Sequence, residues 1–513
     1  QGLCRYLELE AKEVLQANGV VIGFDSRHNS ERFAETAAAV FLSQGFKVHL
    51  FGACVPTPFV AAGVAEIGAA AGIMVTARAC ACSWSQQVYW GNGTQITPPH
   101  DEGIANAITQ NLDLWSLPED VRNHTLDPTE QITSTYFAKL ESLRYRGLEE
   151  NGKAHPLTYT PLHGLGAAPV QRALSQFGLP APHVVAVQAQ PDPEFPTVAF
   201  PNPEEGAGTW RLAFEEGAAR GDRLVMANDP DVDRLCVAEA DPGTSGGWRA
   251  FTGNEMAALI AHWVWANYRR THPQVPASNC AMLASTVSSK FLAAMSAAEG
   301  FRFEETLTGF KWIGNRAIEL EQQGVQVLFA FEEAIGFMLG PYKDKDGISA
   351  AAVFAEMAAD AYAHGTTLKE TLAELYDRYG FSAFRSGYFI ADRPELNKAV
   401  FERLRAGGKY PQTIAGLRVT SVRDLGTGLD TSRPNQRTTM PWRQGDMMIT
   451  YNMEGGGTLT LRASGTEPKL KYYLEVVSDA GTATQTADRL AEAVDCELVQ
   501  AQQSGLRRPA TCH

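Results

Sequence analysis

Residues 228–234 read Asn-Asp-Pro-Asp-Val-Asp-Arg and follow an apolar run with the composition of a buried strand. In an extended segment side chains alternate, so Asp229, Asp231 and Asp233 would project to one side. Three converging carboxylates are hard oxygen ligands for a divalent cation, and they repel one another unless one is bound. The spacing is not that of an EF-hand. With Asp229 at position 1, Arg234 stands at position 6 where Gly is required and Ala240 at position 12 where Glu is required. The competing reading is a solvated acidic turn. A loop that follows a strand in an α/β sheet is where ligands bind, which favours the metal loop.

Three further segments could hold an anion or a polyol. Arg462-Ala463-Ser464-Gly465-Thr466 ends a strand-like run, and could present a guanidinium, two hydroxyls and backbone N–H groups to one phosphate. Ser-Gly-Thr turns are common, so an ordinary hairpin turn is the alternative. Glu332 and Glu333 end the run VLFAF, where a carboxylate can accept from two neighbouring sugar hydroxyls; one of them could instead cap the next element. Thr308 and Gly309 precede a helix, where they could meet hydroxyls or an anion, or Thr308 could simply be the N-cap. Tyr342-Lys343-Asp344-Lys345-Asp346-Gly347 reads as a charged turn that could add a cation for a phosphate, with a solvated loop as the plain expectation. For His163, at another strand end, a structural role is expected.

The elements that must position these loops come in repeated α/β rounds. Residues 19–27, 47–52 and 71–77 read as strands around helices at 31–44 and 59–67. A second round has strands at 157–161, 183–187 and 223–227 with helices at 168–177 and 209–219. The third has strands at 280–286 and 325–330, helices at 288–298 and 311–323, and helices again between 349 and 379. This alternation predicts βαβ units and mostly parallel sheet. From residue 384 the pattern changes to strands at 384–390, 417–422, 447–451, 458–461 and 471–477, with helices at 394–405 and 484–503. The expected architecture is three similar α/β domains with mixed or parallel sheets, over 1–150, 151–272 and 273–383, and a smaller α+β domain over 384–513.

A chain of 513 residues has ample core for such a plan and needs no disulfide or structural metal to fold. Its net charge of −14 argues against a general nucleic-acid or anionic-membrane binder, yet local Arg and Lys suffice for an anionic small substrate. Eight scattered cysteines, without a C-x-x-C pair, suggest a reducing, cytoplasmic compartment. The most apolar stretch, residues 257–266, is interrupted by His262 and is too short to span a membrane. The chain opens on QGLCRYLELEAKEV, without Met and without a signal-peptide core, so its native start is expected to lie upstream.

Taken in order, QGLCRYLE, GFDSR, PTPFV, VYWGNGTQI, QPDPEFPTV, FPNPEEG, NDPDVDRL, ASTVSSK, EETLTGFKW, FEEAIG, DKDGISAA and RASGTEPKLKYY resemble the α-D-phosphohexomutase superfamily along essentially the whole chain. The similarity is to its eukaryotic phosphoglucomutase/phosphopentomutase type, which includes a glucose-1,6-bisphosphate synthase. It implies four domains around a central cleft and an intramolecular phosphotransferase that interconverts sugar 1-phosphates and 5- or 6-phosphates. It further implies one Mg²⁺ ion, a sugar bisphosphate as primer, and glucose or ribose and deoxyribose phosphates as substrates. Residue by residue, it assigns Asp229, Asp231 and Asp233 to the metal and Arg234 and Arg27 to support of the active centre. Thr308, Gly309, Glu332 and Glu333 fall to the sugar, and Lys345, Arg462, Ser464, Gly465 and Thr466 to phosphate.

The departure is at the nucleophile. The family reads Thr-Ala-Ser-His-Asn-Pro, in which the serine carries the phosphoryl group; this chain has Thr76-Ala77 followed by Arg78 and rejoins the family at Val88-Tyr89-Trp90. Match, abrupt mismatch and match again have the form of a local reading-frame difference. A pseudoenzyme that binds phosphosugars without turnover is the alternative. The family's Phe-Gly-Thr-[Ala/Ser]-Gly-x-Arg segment is also missing, so the first sheet is expected to lack a strand.

Overall fold

The computed structural model describes residues 1–77, 84–204, 207–463 and 468–508, which fall into two compact units. The first comprises residues 1–285 and 300–372, the second 286–299 and 373–513.

Three sheets build the first unit, all on one plan. In the first, Val48–Leu50, Val20–Phe24 and Ala71–Ala77 lie side by side and parallel, and Trp84–Trp90 adds antiparallel to the last. The second orders His183–Val184, Thr158–Thr160, Leu224–Asn228, Leu235–Ala240 and Trp248–Ala250, turning antiparallel after Leu224–Asn228. In the third, Arg302–Thr306, Cys280–Ser285 and Gln326–Glu332 are parallel and Gly336–Met338 is antiparallel.

The β-branched runs that predicted parallel strands are the fully buried central ones, such as VVIGF at Val20–Phe24. Mixed sheets were among the expected arrangements, but the individual antiparallel closers were not located in the sequence. Leu235–Ala240 and Gly336–Met338 each follow a candidate functional loop at hairpin distance, so no crossover helix announces them. Every sheet is therefore mixed.

Helices Gly2–Glu10, Lys12–Asn18, His100–Thr109 and Thr129–Leu140, also unpredicted, pack around the first sheet's segment of the chain. The apolar stretch around His262 is the middle of the helix Gly253–Thr271, which opens on a capping box between Thr252 and Glu255 and buries eleven of its residues. No helix among the described residues is long and apolar enough to cross a membrane.

The second unit is an antiparallel sheet in the order Phe381–Ile390, Lys469–Ser478, Gly457–Ala463, Met448–Met453, Leu417–Asp424 and Thr413–Ile414. The single C-terminal helix expected over 484–503 is instead Ala480–Ala493, a π-turn at Val494–Val499 and the short Ala501–Ser504. The break lets Gln500 take a left-handed conformation and Asp495 accept from the Ala501 N–H. The helix Phe291–Glu299 packs with this unit: the buried Glu475 carboxylate accepts from the Lys290 N–H at 2.7 Å and from the Ser289 hydroxyl.

Three histidines of the first unit are held neutral by burial, which lowers the pKa of His49, His100 and His163. His163 is buried and shares a hydrogen bond with Thr197 at 2.8 Å, a structural placement. Below about pH 6.5 the unfolded chain takes up protons that the folded chain refuses, so their contribution is present above that pH and lost as pH falls. The urea midpoint should therefore drop between pH 7.5 and pH 5.5. An unchanged midpoint would contradict the neutral, buried placement.

Candidate functional site

The strand Leu224–Asn228 is buried throughout and delivers its C-terminal end into the loop 229–234. The three carboxylates do converge, with ligand oxygens within 4.8 Å of one another and all three residues buried. The cause differs from the expected extended alternation. The Val232 N–H bonds back to the Asp229 carbonyl at 3.0 Å, and Val232 sits at φ +60°, so the loop is a tight turn. A β-branched residue there stores about 1–3 kcal/mol of strain, and persists only where its surroundings impose it.

Those surroundings come from three distant segments. Leu165 donates to the Pro230 carbonyl (2.9 Å), Thr57 to that of Asp231 (2.9 Å) and Gly347 to that of Val232 (3.0 Å). Two glycines make the approach physically allowed. A Cβ on Gly164 would lie 2.2 Å from the Pro230 Cα, and one on Gly347 would lie 2.6 Å from the Arg234 carbonyl oxygen. Gly164→Ala should therefore cost about 1–3 kcal/mol and weaken divalent-cation binding at the same time. Calorimetric Mn²⁺ titration together with urea unfolding checks it, and wild-type values in both would refute the clamp.

A ring of cations and hydroxyls surrounds the carboxylates. The Arg27 guanidinium pairs with Asp25 and donates to the Thr76 hydroxyl at 3.1 Å. Thr76 also lies 2.9 Å from Asp25 and 3.2 Å from Asp231, and the Thr57 hydroxyl donates to Asp231 at 2.8 Å. Arg234 binds back to Asp229 through its backbone N–H (3.0 Å) and Nε (2.7 Å), and reaches Asn202 at 3.2 Å. The Lys345 ammonium pairs with Asp233. Burial raises Asp229 and Asp233, the latter helped by its neighbour Asp231; burial would raise Asp231 too, but Arg27, Lys345 and the Thr57 hydroxyl hold it below the usual range. Lys345 stays charged because Asp233, Asp344 and Asp231 overcome its own desolvation.

These groups fit a divalent ion. Asp25, Asp229, Asp231 and Asp233 set four carboxyl groups against the three cationic groups of Arg27, Arg234 and Lys345, leaving a carboxylate-rich centre of small hard oxygens. The turn 342–347 is not the solvated loop expected. Tyr342 is buried and stacked on Tyr136 at 5.8 Å, and Asp346 accepts the Tyr136 hydroxyl at 2.6 Å and caps the helix Gly347–Ala363. That anchoring is what brings Lys345 to Asp233.

Thr308 is not the N-cap of the helix Phe310–Gln322; Gly309 occupies that position, and the buried Thr308 hydroxyl has no hydrogen-bond partner among the described residues. The Gly309 N–H donates instead to Glu332 at 2.8 Å, so Glu332 fixes the loop that presents Thr308. Glu333 follows it in the turn before Gly336–Met338. Arg462 lies in the strand Gly457–Ala463 of the second unit, paired in register with Lys471. Arg78, Ser464, Gly465 and Thr466 lie outside the described residues.

Sequence reasoning missed Asp25, Thr57, Thr76 and Asn202 as parts of the site. Asp25 and Thr57 stand inside GFDSR and PTPFV, but their partners lie up to 174 residues away, which local pattern does not reveal.

Models of phosphoglucomutase/phosphomannomutase alpha/beta/alpha domains I, II and III match residues 1–114, 134–243 and 252–379, and the model of the C-terminal domain matches 450–493. A phosphopentomutase of Homo sapiens is 41% identical over 99% of this chain and 86% of its own length. A glucose 1,6-bisphosphate synthase of Homo sapiens is 39% identical over 99% of this chain and 84% of its own. Among solved structures, the open form of parafusin, a phosphoglucomutase from Paramecium, aligns with a TM-score of 0.68 at 16% identity, covering 99% of this chain and 93% of that one. The matched models and the extent of these identities show that the chain belongs to the phosphoglucomutase/phosphomannomutase family.

Proposed function

We propose that the chain is built as a phosphosugar mutase, interconverting sugar 1-phosphates with the 5- or 6-phosphates of pentoses or hexoses through a bisphosphate intermediate. The observation that carries the reading is the clamped Asp229-Asp231-Asp233 turn in a chain 41% identical to a phosphopentomutase along nearly all its length. Mg²⁺ held by the three aspartates would supply charge neutralisation for the transferring phosphoryl group. Arg27, Arg234 and Lys345 ring that centre and compensate charge there. Thr308 and Gly309, with Glu332 and Glu333, are assigned to sugar hydroxyls; the unpartnered Thr308 hydroxyl supports this. Arg462, Ser464, Gly465 and Thr466 are assigned to the phosphate that is not reacting. A sugar bisphosphate primes the cycle, and a cytoplasmic location is part of the reading. Division into domains at 150, 272 and 383 is supported by the four separate sheets.

A coupled assay with glucose 1-phosphate or ribose 1-phosphate, Mg²⁺ and trace glucose 1,6-bisphosphate tests the reaction class on a chain with a competent nucleophile. EDTA should abolish turnover; turnover that survives EDTA removes the metal role. A second reading, a phosphosugar-binding protein without turnover, is favoured by Arg78 at the family's serine position: a fourth cation would neutralise the remaining charge and displace the metal. Calorimetric uptake of sugar phosphate without turnover or phosphoserine would establish it. The bisphosphate synthase reading is tested with 1,3-bisphosphoglycerate as phosphoryl donor.

A further inference from the structure

Within the first unit a cavity of about 410 Å³ opens between the helices Thr57–Ile67, Thr129–Leu140 and Ala167–Gln176. Its walls are mostly apolar, with Val55, Phe59, Phe137 and Leu165 among them. Among the described residues no Asp or Glu side chain lines it, and the one charged group on the wall is Arg172, whose guanidinium lies 4.0 Å over the Phe137 ring. Among the described residues Arg172 forms no ion pair with a carboxylate, in a chain of net charge −14. A guanidinium stacked on a ring keeps its N–H groups in its own plane, available to an acceptor outside it. The helix Ala167–Gln176 also begins on this wall without a side-chain cap, which adds positive potential of the same sign.

We propose that this cavity binds a small amphipathic anion: an apolar, ring-sized body between Phe59, Phe137 and Leu165, and one sulfonate-, carboxylate- or phosphate-like group on Arg172. Size, wall chemistry and charge agree on that class. A pocket of a few hundred Å³, mainly apolar and with a few oriented polar groups, is the ordinary form of a small-molecule site. A free sugar phosphate fits it less well, since most of its hydroxyls would face carbon despite Thr129, Thr133 and Gln190 on the wall. The cavity also differs from the carboxylate-rich centre in the sign of its charge.

Cys54 lies half-buried on the same wall and provides a local reporter. The probe is naphthalene-1-sulfonate, followed by calorimetry and by the rate of iodoacetamide alkylation of Cys54 in peptide-level mass spectrometry. Saturable binding should slow alkylation of Cys54 at least fivefold while leaving the exposed Cys496 unchanged. Arg172→Gln, a substitution of an exposed side chain, should weaken binding about tenfold, and Thr133→Trp should fill the cavity and abolish both effects. The proposal is overturned if no saturable heat appears, if Cys54 reacts equally fast at saturating probe, or if Arg172→Gln binds as the parent does.

Discussion

A chain in which Arg78→Ser, Ala79→His, Cys80→Asn and Ala81→Pro restore the family's Ser-His-Asn-Pro is expected to isomerise glucose 1-phosphate at least about 10³-fold faster than the chain with Arg78, because loss of a nucleophile that acts with its whole site typically costs that much or more. The two are compared side by side with the family's upstream segment present, Mg²⁺ and trace glucose 1,6-bisphosphate. Position matters as much as chemistry. Thr76, whose hydroxyl lies 3.2 Å from Asp231, is two residues before the restored serine, at the end of the strand Ala71–Ala77. A nucleophile must be held within about 3–3.5 Å of the reacting phosphorus. The carboxylate turn can stabilise a transferring group but offers nothing to store it between half-reactions. Water would release inorganic phosphate instead of returning the group to the sugar, so the chain with Arg78 should show slow phosphatase activity at most. Equal isomerisation by both chains would refute this account of the active centre.

The carboxylate turn and its surroundings differ in how legible they are in sequence. Asp229, Asp231 and Asp233 stand out because they crowd three carboxylates into five residues after an apolar strand. What makes them converge is not local. Backbone donors from Thr57, Leu165 and Gly347 fold the turn, and these lie 174, 65 and 115 residues from the carbonyls they bind. The turn 342–347 misled for the opposite reason. Its composition is that of a solvated loop, but tyrosine stacking and the Asp346 cap bury it, and only then does Lys345 meet Asp233. Parallel strands could be read from continuous β-branched runs, whereas Leu235–Ala240 and Gly336–Met338 could not, since they follow the functional loops directly, with no helix between. The C-terminal helix was read too long because helical periodicity continues through a π-turn.

The same logic makes Asp25, invisible as a site residue in the sequence, a side chain whose removal should strongly destabilise the first unit. It follows the strand Val20–Phe24 and is 2% exposed. Its carboxylate accepts from the Arg27 backbone N–H (3.1 Å), the Arg27 guanidinium, the Ser30 hydroxyl (2.6 Å) and the Thr76 hydroxyl (2.9 Å). Asp25→Ala strands a guanidinium that is 8% exposed and leaves it the Thr76 hydroxyl and the more distant attraction of Asp231 and Asp229. Breaking a buried ion pair from one side costs about 3–5 kcal/mol, because the desolvation of the remaining charge is no longer offset. Asp25→Asn keeps an acceptor of the same shape and should cost less. The double variant Asp25→Ala with Arg27→Met removes both charges, so its loss should fall well short of the sum of the single losses. Urea unfolding of the four proteins decides it: a loss below about 1 kcal/mol for Asp25→Ala, or simple additivity in the double variant, would mean that this pair does not hold the centre together.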